Sequence, residues 1–92
     1  MKTINFDLEN FLQVNKEYEE NNYHKERLMN IAYNLGYMSY YKIFCHILDI
    51  QNELDEIPFD LFKFRYRMEL RMYDEIERDY GKEIFNRIAL NK

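Results

Sequence analysis

Glycine and proline are scarce in this chain, and their scarcity restricts the fold more than any motif does. Two glycines and one proline occur in 92 residues. An all-β domain needs a turn, usually marked by glycine or proline, roughly every 8 to 12 residues. The sequence therefore predicts an all-α fold, with residues 1–92 forming a single helical domain built as a small bundle of about four helices.

Apolar spacing and capping residues predict where the first three helices begin. The first helix is expected to start near Asn5 or Asp7, whose side chains can accept hydrogen bonds from free amide groups. The second is expected from about Tyr23, with Gly36 as a left-handed cap after it. Ser39 is the expected cap of the third helix.

The fourth helix is predicted to be long, amphipathic and C-terminal, because Pro58 suits the first helical turn and an apolar stripe follows it. The stripe is expected to face the core, and its members are Phe59, Phe62, Tyr66, Leu70, Tyr73, Ile76 and Tyr80. Gly81 can end this helix, but Ile84 and Ile88 continue the same angular phase. A break at Gly81 and a continuous helix to about Leu90 therefore both stay open.

A second apolar line runs along the same helix, roughly opposite the stripe, and consists of Leu61, Phe64, Met68 and Met72. Either the first or second helix covers this line, or another molecule does, since a large exposed apolar patch usually marks an interface. The second case predicts an oligomer face. One alternative function is thus a homo-oligomeric structural or accessory protein, in the simplest case a homodimer.

A ladder of basic residues lies between the two apolar lines and consists of Lys63, Arg67, Arg71 and Arg78. Such a ladder can meet phosphates or carboxylates. Because the whole protein carries a net charge of −4, we expect it to meet an acidic protein surface and do not expect direct nucleic-acid binding. The alternative is a solvated face with local ion pairs, for instance to Asp74.

The two halves of the chain differ in charge. Residues 1–57 hold 10 acids and 5 bases, whereas residues 58–92 hold 7 acids and 8 bases. Glu17, Glu19 and Glu20 are the expected contact residues for a basic partner. The alternative is that the two halves neutralise each other by packing together.

Tyrosines are abundant, with nine in the chain and no tryptophan. Tyr37, Tyr40 and Tyr41 crowd the turn between the second and third helices. Because exposed tyrosines often anchor protein interfaces, this cluster is a predicted partner-binding site. In the alternative, Tyr37 and Tyr40 cover the end of the core.

Residues 31–44 resemble, in part, the first helix and turn of helix-turn-helix DNA-binding proteins. The resemblance rests on the Ile31-Ala32 pair, followed by Leu35 and Gly36. It implies a DNA-binding regulator as a second alternative function. The pattern departs from the motif at Lys42, where an apolar residue is expected.

Residues suited to catalysis are few. His24 and His46 do not have a metal-ligand spacing, and Cys45 is the sole cysteine. We therefore expect no enzymatic activity, no cofactor and no metal. The single cysteine, the lack of a leader and the lack of a long apolar run predict a cytoplasmic protein outside the membrane.

These observations predict a small non-enzymatic protein-binding module. Its expected role is that of an inhibitor or antidote that blocks a nucleic-acid-processing enzyme by direct binding. Phages and toxin–immunity cassettes encode proteins of this kind, and the small size and the Tyr-, Asn- and Ile-rich composition suit a phage or bacterial accessory protein.

Overall fold

The computed structural model describes residues 2–90, and within that range it contains five α-helices and no strand. The helices are α1 (Leu8–Glu20), α2 (His24–Asn34), α3 (Met38–Glu53), α4 (Phe59–Tyr80) and α5 (Lys82–Ala89). The all-helical prediction is confirmed. The helix number and the position of the long helix differ from expectation, because α4 is followed by a short fifth helix.

Three of the predicted helix starts lie within one residue of the observed ones. Asp7 caps α1, where its carboxylate accepts a 3.2 Å hydrogen bond from the Asn10 amide. Pro58 precedes the first residue of α4. The expectation for Ser39 is wrong, because α3 begins at Met38 and is preceded by Tyr37.

The turn after α2 is a Schellman motif, which explains why a glycine stands there. Gly36 has φ +83°, and its amide donates to the Tyr33 carbonyl, while the Tyr37 amide donates to the Ala32 carbonyl at 2.8 Å. The same pattern ends α1, with Asn22 at φ 63° in the position of the glycine. Both turns reverse the chain, so that α1, α2 and α3 pack in sequence.

Gly81 breaks the long helix, which decides between the two open alternatives. Its backbone has φ 92° and ψ 165°, a region that only glycine enters without strain. The amide of Gly81 still donates to the Glu77 carbonyl, and α5 begins at the next residue. The change of direction lets α5 bury Ile88 completely in the core.

The core is formed by apolar side chains from all five helices. Its largest fully buried apolar members are Leu28, Ile31, Phe44, Ile47, Met72, Ile76 and Ile88. The buried residues of α4 are Met72, Ile76 and Tyr80, and all of them lie in its second half. The first half of α4 therefore forms the edge of the bundle and does not enter the core.

Arg27 joins α2 to the end of α5. Its guanidinium is buried and donates to the carbonyl oxygens of Ile88 at 2.9 Å and Ala89 at 3.4 Å. It also donates to the Tyr73 hydroxyl at 3.2 Å. The last carbonyls of a helix lack partners within the helix, and a cation there is favoured by the helix dipole. Arg27 thus holds α5 against the bundle.

Asp79 is the centre of a polar cluster at the end of α4. Its carboxylate accepts hydrogen bonds from the Tyr37 hydroxyl at 2.7 Å and from Arg78 Nε at 3.0 Å, and Lys2 Nζ lies 3.4 Å away. The Lys2 amide donates to the Asp79 carbonyl at 2.7 Å. The hydrogen bonds from Arg78 and Tyr37 hold the pKa of Asp79 well below its usual value of 3.8.

Candidate functional site

Exposed apolar side chains are concentrated in one segment of the chain. Among residues 2–90, eleven large apolar side chains are exposed, and seven of them lie between residues 54 and 70. Four of these seven follow one side of α4, and we call them the α4 apolar face: Phe59, Phe62, Tyr66 and Leu70. Leu54 and Ile57 are exposed in the loop that precedes them. This concentration marks an interaction surface.

The expectation that this stripe faces the core is wrong for its first half. Phe59 is 73% exposed and Tyr66 is 53% exposed, whereas Ile76 in the second half is fully buried. At about 100° per residue, Phe59, Tyr66 and Leu70 point roughly 100° or more away from the direction shared by Met72 and Ile76. The core lies on the Met72 side, so the first half of the stripe is left in solvent.

The second apolar line is covered mainly by the chain's own helices. Met72 is fully buried, and Leu61 and Met68 are partly buried against the core. Only Phe64 of the four is exposed. The four residues therefore do not form one exposed oligomer face, and the covering by the protein's own helices accounts for three of them.

Basic side chains border the α4 apolar face. Lys63 Nζ lies 5.9 Å from the centre of the Phe59 ring, and the Arg65 guanidinium lies 4.8 Å from the centre of the Phe62 ring. Residues 59–72 carry four bases and two acids, whereas the whole chain has a net charge of −4. The face is thus a locally positive, aromatic surface on an acidic protein.

Three members of the predicted basic ladder stay together and the fourth does not. Lys63, Arg67 and Arg71 are exposed, and none of them forms an ion pair within 4.0 Å with residues 2–90. Arg78 pairs with Asp79 at 3.0 Å and with Glu75 at 4.0 Å, near the end of the second half of α4. The local ion pair with Asp74 that the alternative interpretation suggested does not form.

The predicted acidic contact residues lie on a different helix. Glu17, Glu19 and Glu20 are exposed in the last turns of α1, and Lys16 lies 4.0 Å from Glu20. Glu19 and Glu20 line an open groove of about 500 Å³, together with Glu9, Leu12, Gln13, Lys16 and Arg87. The acidic residues and the basic ladder are therefore parts of two separate surfaces.

The predicted tyrosine cluster is partly structural. Tyr37 is buried, and its hydroxyl donates to the Asp79 carboxylate and lies 3.2 Å from the Glu75 carbonyl oxygen. Burial, reinforced by the hydrogen bond to Asp79, raises the pKa of Tyr37 well above 10.0. Tyr40 and Tyr41 are half-buried, and Tyr40 packs edge-on against Tyr37. Of the two interpretations left open for Tyr37, the structure agrees with the one in which its ring covers the end of the core.

The segment that resembles a helix-turn-helix motif does form two helices joined by a tight turn, α2 and α3 with residues 35–37 between them. On the exposed side of α3, Lys42 is the one base, and it shares that side with His46, Asp49 and Glu53. A single lysine among acids gives phosphate groups little attraction.

Candidate metal-binding and nucleophilic side chains in residues 2–90 include two histidines and one cysteine. No group of three or more His, Cys, Asp or Glu side chains is arranged to hold a metal ion in that range. His24 and His46 are exposed on different helices, and Cys45 is a half-buried free thiol. None of the helices over residues 2–90 is both long and apolar enough to cross a membrane.

Sequence reasoning placed Phe59, Phe62, Tyr66 and Leu70 in the core and did not single out Arg65. One signal was present: Lys63, Arg65 and Arg67 alternate with the aromatic residues, which is unusual for a helix segment that is buried deeply. In comparisons with known proteins, no family model, no curated protein and no solved structure matches this chain.

Proposed function

We propose that this chain is a small protein-binding module, and that the α4 apolar face docks against an acidic segment of a partner protein. The observation that carries the proposal is the exposure of four large apolar side chains within residues 59–72, which hold four bases and two acids. Aromatic and arginine side chains dominate the binding energy of many protein interfaces.

The charge pattern favours a different protein over a second copy of this chain. An antiparallel two-fold pairing through the α4 apolar face would bring Lys63, Arg67 and Arg71 of both copies along the same seam, where like charges repel. An amphipathic helix with apolar side chains on one side and carboxylates beside them complements the face in both respects. We therefore assign the partner's contact segment to this class.

The test is retention of a partner by affinity pull-down from host lysate, followed by titration with the purified partner. The double variant Phe59→Ser/Tyr66→Ser should weaken binding about 30-fold or more, because truncated aromatic anchors typically cost 2 kcal/mol or more. Tyr23→Ser is the matched control, since Tyr23 is as exposed as Tyr66 but lies before α2. Undiminished binding by the double variant would contradict the proposal.

A charge reversal tests the electrostatic part of the proposal separately from the apolar part. Arg67→Glu should slow association and reduce its dependence on salt, since complementary charge acts mainly on the association rate. Lys42→Glu is the control with the same change of charge on α3. An equal effect of both variants would show that net charge, and not the α4 apolar face, controls binding. If the protein bound DNA and only Lys42→Glu abolished that binding, the result would instead support the alternative function of a DNA-binding regulator.

For the biological role, we propose an inhibitor or antidote of a nucleic-acid-processing enzyme. The support is the second surface, at the end of α1, where Glu17, Glu19 and Glu20 are exposed and can meet the basic channel of such an enzyme. One enzyme can present an acidic segment to α4 and basic residues to α1. Reversal of all three glutamates to lysine should restore the activity of the inhibited enzyme, whereas Glu53→Lys should not. A bound enzyme that keeps its full activity would refute this role.

A further inference from the structure

A second surface feature, separate from the α4 apolar face, is a small groove lined by three tyrosines from three different helices. Tyr18 comes from α1, Tyr33 from α2 and Tyr41 from α3. The remaining lining residues are Glu26, Met29 and Asn30, all on α2. We call these six residues the tyrosine groove. Its volume of about 280 Å³ is below the usual range for drug-sized ligands and suits a single small group.

The sequence brings these side chains together through helix geometry and the first chain reversal. Glu26, Asn30 and Tyr33 are spaced by four and three residues, so they lie on one side of α2. Tyr18 is tied to the start of that helix, because its carbonyl accepts the Tyr23 amide at 2.7 Å. Packing of α3 on α2 places the Tyr41 ring 5.4 Å from the Tyr33 ring, tilted by 55°.

The electrostatics of the tyrosine groove favour a cation. The faces of aromatic rings are negative, and three rings converge on this groove. Glu26 is its one charged lining residue, is only half-buried, and forms no ion pair within 4.0 Å with residues 2–90. A carboxylate beside converging rings attracts a cation by charge and holds it against the ring faces.

The tyrosine groove has few free hydrogen-bonding groups, and this limits the kind of cation that it can bind. Asn30 already donates to Asn15 at 2.7 Å, and its side-chain oxygen accepts from Asn34 at 2.9 Å. Interaction with the Cys45 thiol raises the pKa of Tyr41. A metal ion would find one carboxylate, and a primary ammonium would lose water for few new hydrogen bonds. A fully alkylated, quaternary ammonium has no N–H groups and so loses no such bonds, and its methyl groups can pack on the rings and on the Met29 thioether.

We propose that the tyrosine groove binds an alkylated ammonium group, held by the faces of Tyr18, Tyr33 and Tyr41 and by the charge of Glu26. The group can belong to a free small molecule such as choline or to a methylated lysine side chain of a protein. Both present the same chemistry to the groove.

The first experiment titrates the isotope-labelled protein with choline and, in parallel, with 3,3-dimethyl-1-butanol, which has the same shape without the charge. Choline should shift resonances of Tyr33, Tyr41 and Met29, and the neutral compound should bind at least about fivefold more weakly. Equal affinity for the two compounds, absence of binding at millimolar choline, or shifts confined to other residues would overturn the proposal.

Variants of residues outside the core test the site without disturbing the fold. Tyr33 is 61% exposed, so Tyr33→Leu should leave the protein folded and weaken choline binding about fivefold. Glu26→Gln should weaken it by a similar factor. Tyr23→Leu, outside the groove, should leave the affinity unchanged. Wild-type affinity in both Tyr33→Leu and Glu26→Gln would overturn the proposal.

The source of the group is decided by comparing choline with two peptides, one containing trimethyllysine and the other containing lysine at the same position. A trimethyllysine peptide that binds at least tenfold more tightly than choline identifies a protein side chain as the source. Equal affinities for choline and this peptide identify a free small cation. Tighter binding of the unmodified lysine peptide would refute the preference for an alkylated group.

Discussion

The Tyr37 hydroxyl donates a 2.7 Å hydrogen bond to the Asp79 carboxylate, and this contact fastens the start of α3 to the end of α4. The two residues are 42 positions apart in the chain. Tyr80, the next residue after Asp79, adds a 3.0 Å hydrogen bond from its own hydroxyl to the Leu35 carbonyl. The α2–α3 turn is therefore held to α4 by two adjacent residues.

Low pH should weaken the contact between Tyr37 and Asp79. The variant Asp79→Asn tests whether the charge of Asp79 is the cause. The pKa of Asp79 lies below its usual 3.8 in the folded state, so its ionisation stabilises the fold above about pH 4. That stabilisation is lost as the pH falls from about 4 toward the folded pKa. Asp79→Asn should be less stable than wild type at about pH 6, and the difference should shrink by about pH 2.5, measured by urea unfolding.

Asp74→Asn is the matched control for that measurement, because Asp74 is exposed on the same helix. It should follow the wild-type pH dependence. A difference between Asp79→Asn and wild type that stays constant from about pH 6 to about pH 2.5 would contradict the role of the Asp79 charge.

Gly81→Ala should destabilise the protein by about 1–3 kcal/mol, because alanine is strained at φ 92° and ψ 165°. The measurement is urea unfolding followed by circular dichroism. Gly36→Ala is the comparison: its φ of +83° is also positive, but nothing lies within 4 Å of an added Cβ. We expect it to cost about 1 kcal/mol. If Gly81→Ala equalled wild type in stability, α4 and α5 would have to form one continuous helix.

Met72→Ala and Phe59→Ser should differ sharply in their effects on stability, although both residues belong to apolar lines of the same helix. Met72 is fully buried, so its truncation should cost about 2–5 kcal/mol. Phe59 is exposed, and its replacement should change the free energy of unfolding by less than about 0.5 kcal/mol. Chemical denaturation checks both. A large loss for Phe59→Ser would place the first half of α4 in the core after all.

Arg27→Leu should release the end of α5. The buried guanidinium holds two carbonyls and the Tyr73 hydroxyl, and hydrogen bonds to a charged group contribute about 1.5–3 kcal/mol each. Hydrogen exchange should become faster in α5 than in α2. Arg87→Leu removes a surface pair with Glu9 and should cost less than about 1 kcal/mol. Uniform exchange rates across α2 and α5 in the Arg27 variant would argue against this anchoring.

The local features of the fold could be predicted from the sequence because short-range chemistry controls them. Asp7 caps α1 and Gly36 takes a left-handed conformation after α2, as expected. The outcome at Gly81 could not be decided, because a glycine permits a break without requiring one. Packing of Ile88 in the core is what favours the break, and that contact depends on the rest of the fold.

The direction of α4 could not be predicted for a different physical reason. Helical periodicity shows which residues share a side, but α4 carries two apolar lines, and the sequence does not say which part of each line meets the core. Met72 lies on one line and Phe59 on the other, and only packing against the other helices distinguishes them. For this reason Phe59 was expected in the core, whereas it is exposed.

Each helix of this protein packs chiefly on its neighbours in sequence, and this arrangement affects the folding rate. Most of the contacts close short loops, and chains of this kind typically fold within microseconds to milliseconds. The backbone hydrogen bond between Lys2 and Asp79 joins nearly opposite ends of the chain and closes one of the longest loops. Removing it should thus speed unfolding while leaving the folding rate almost unchanged.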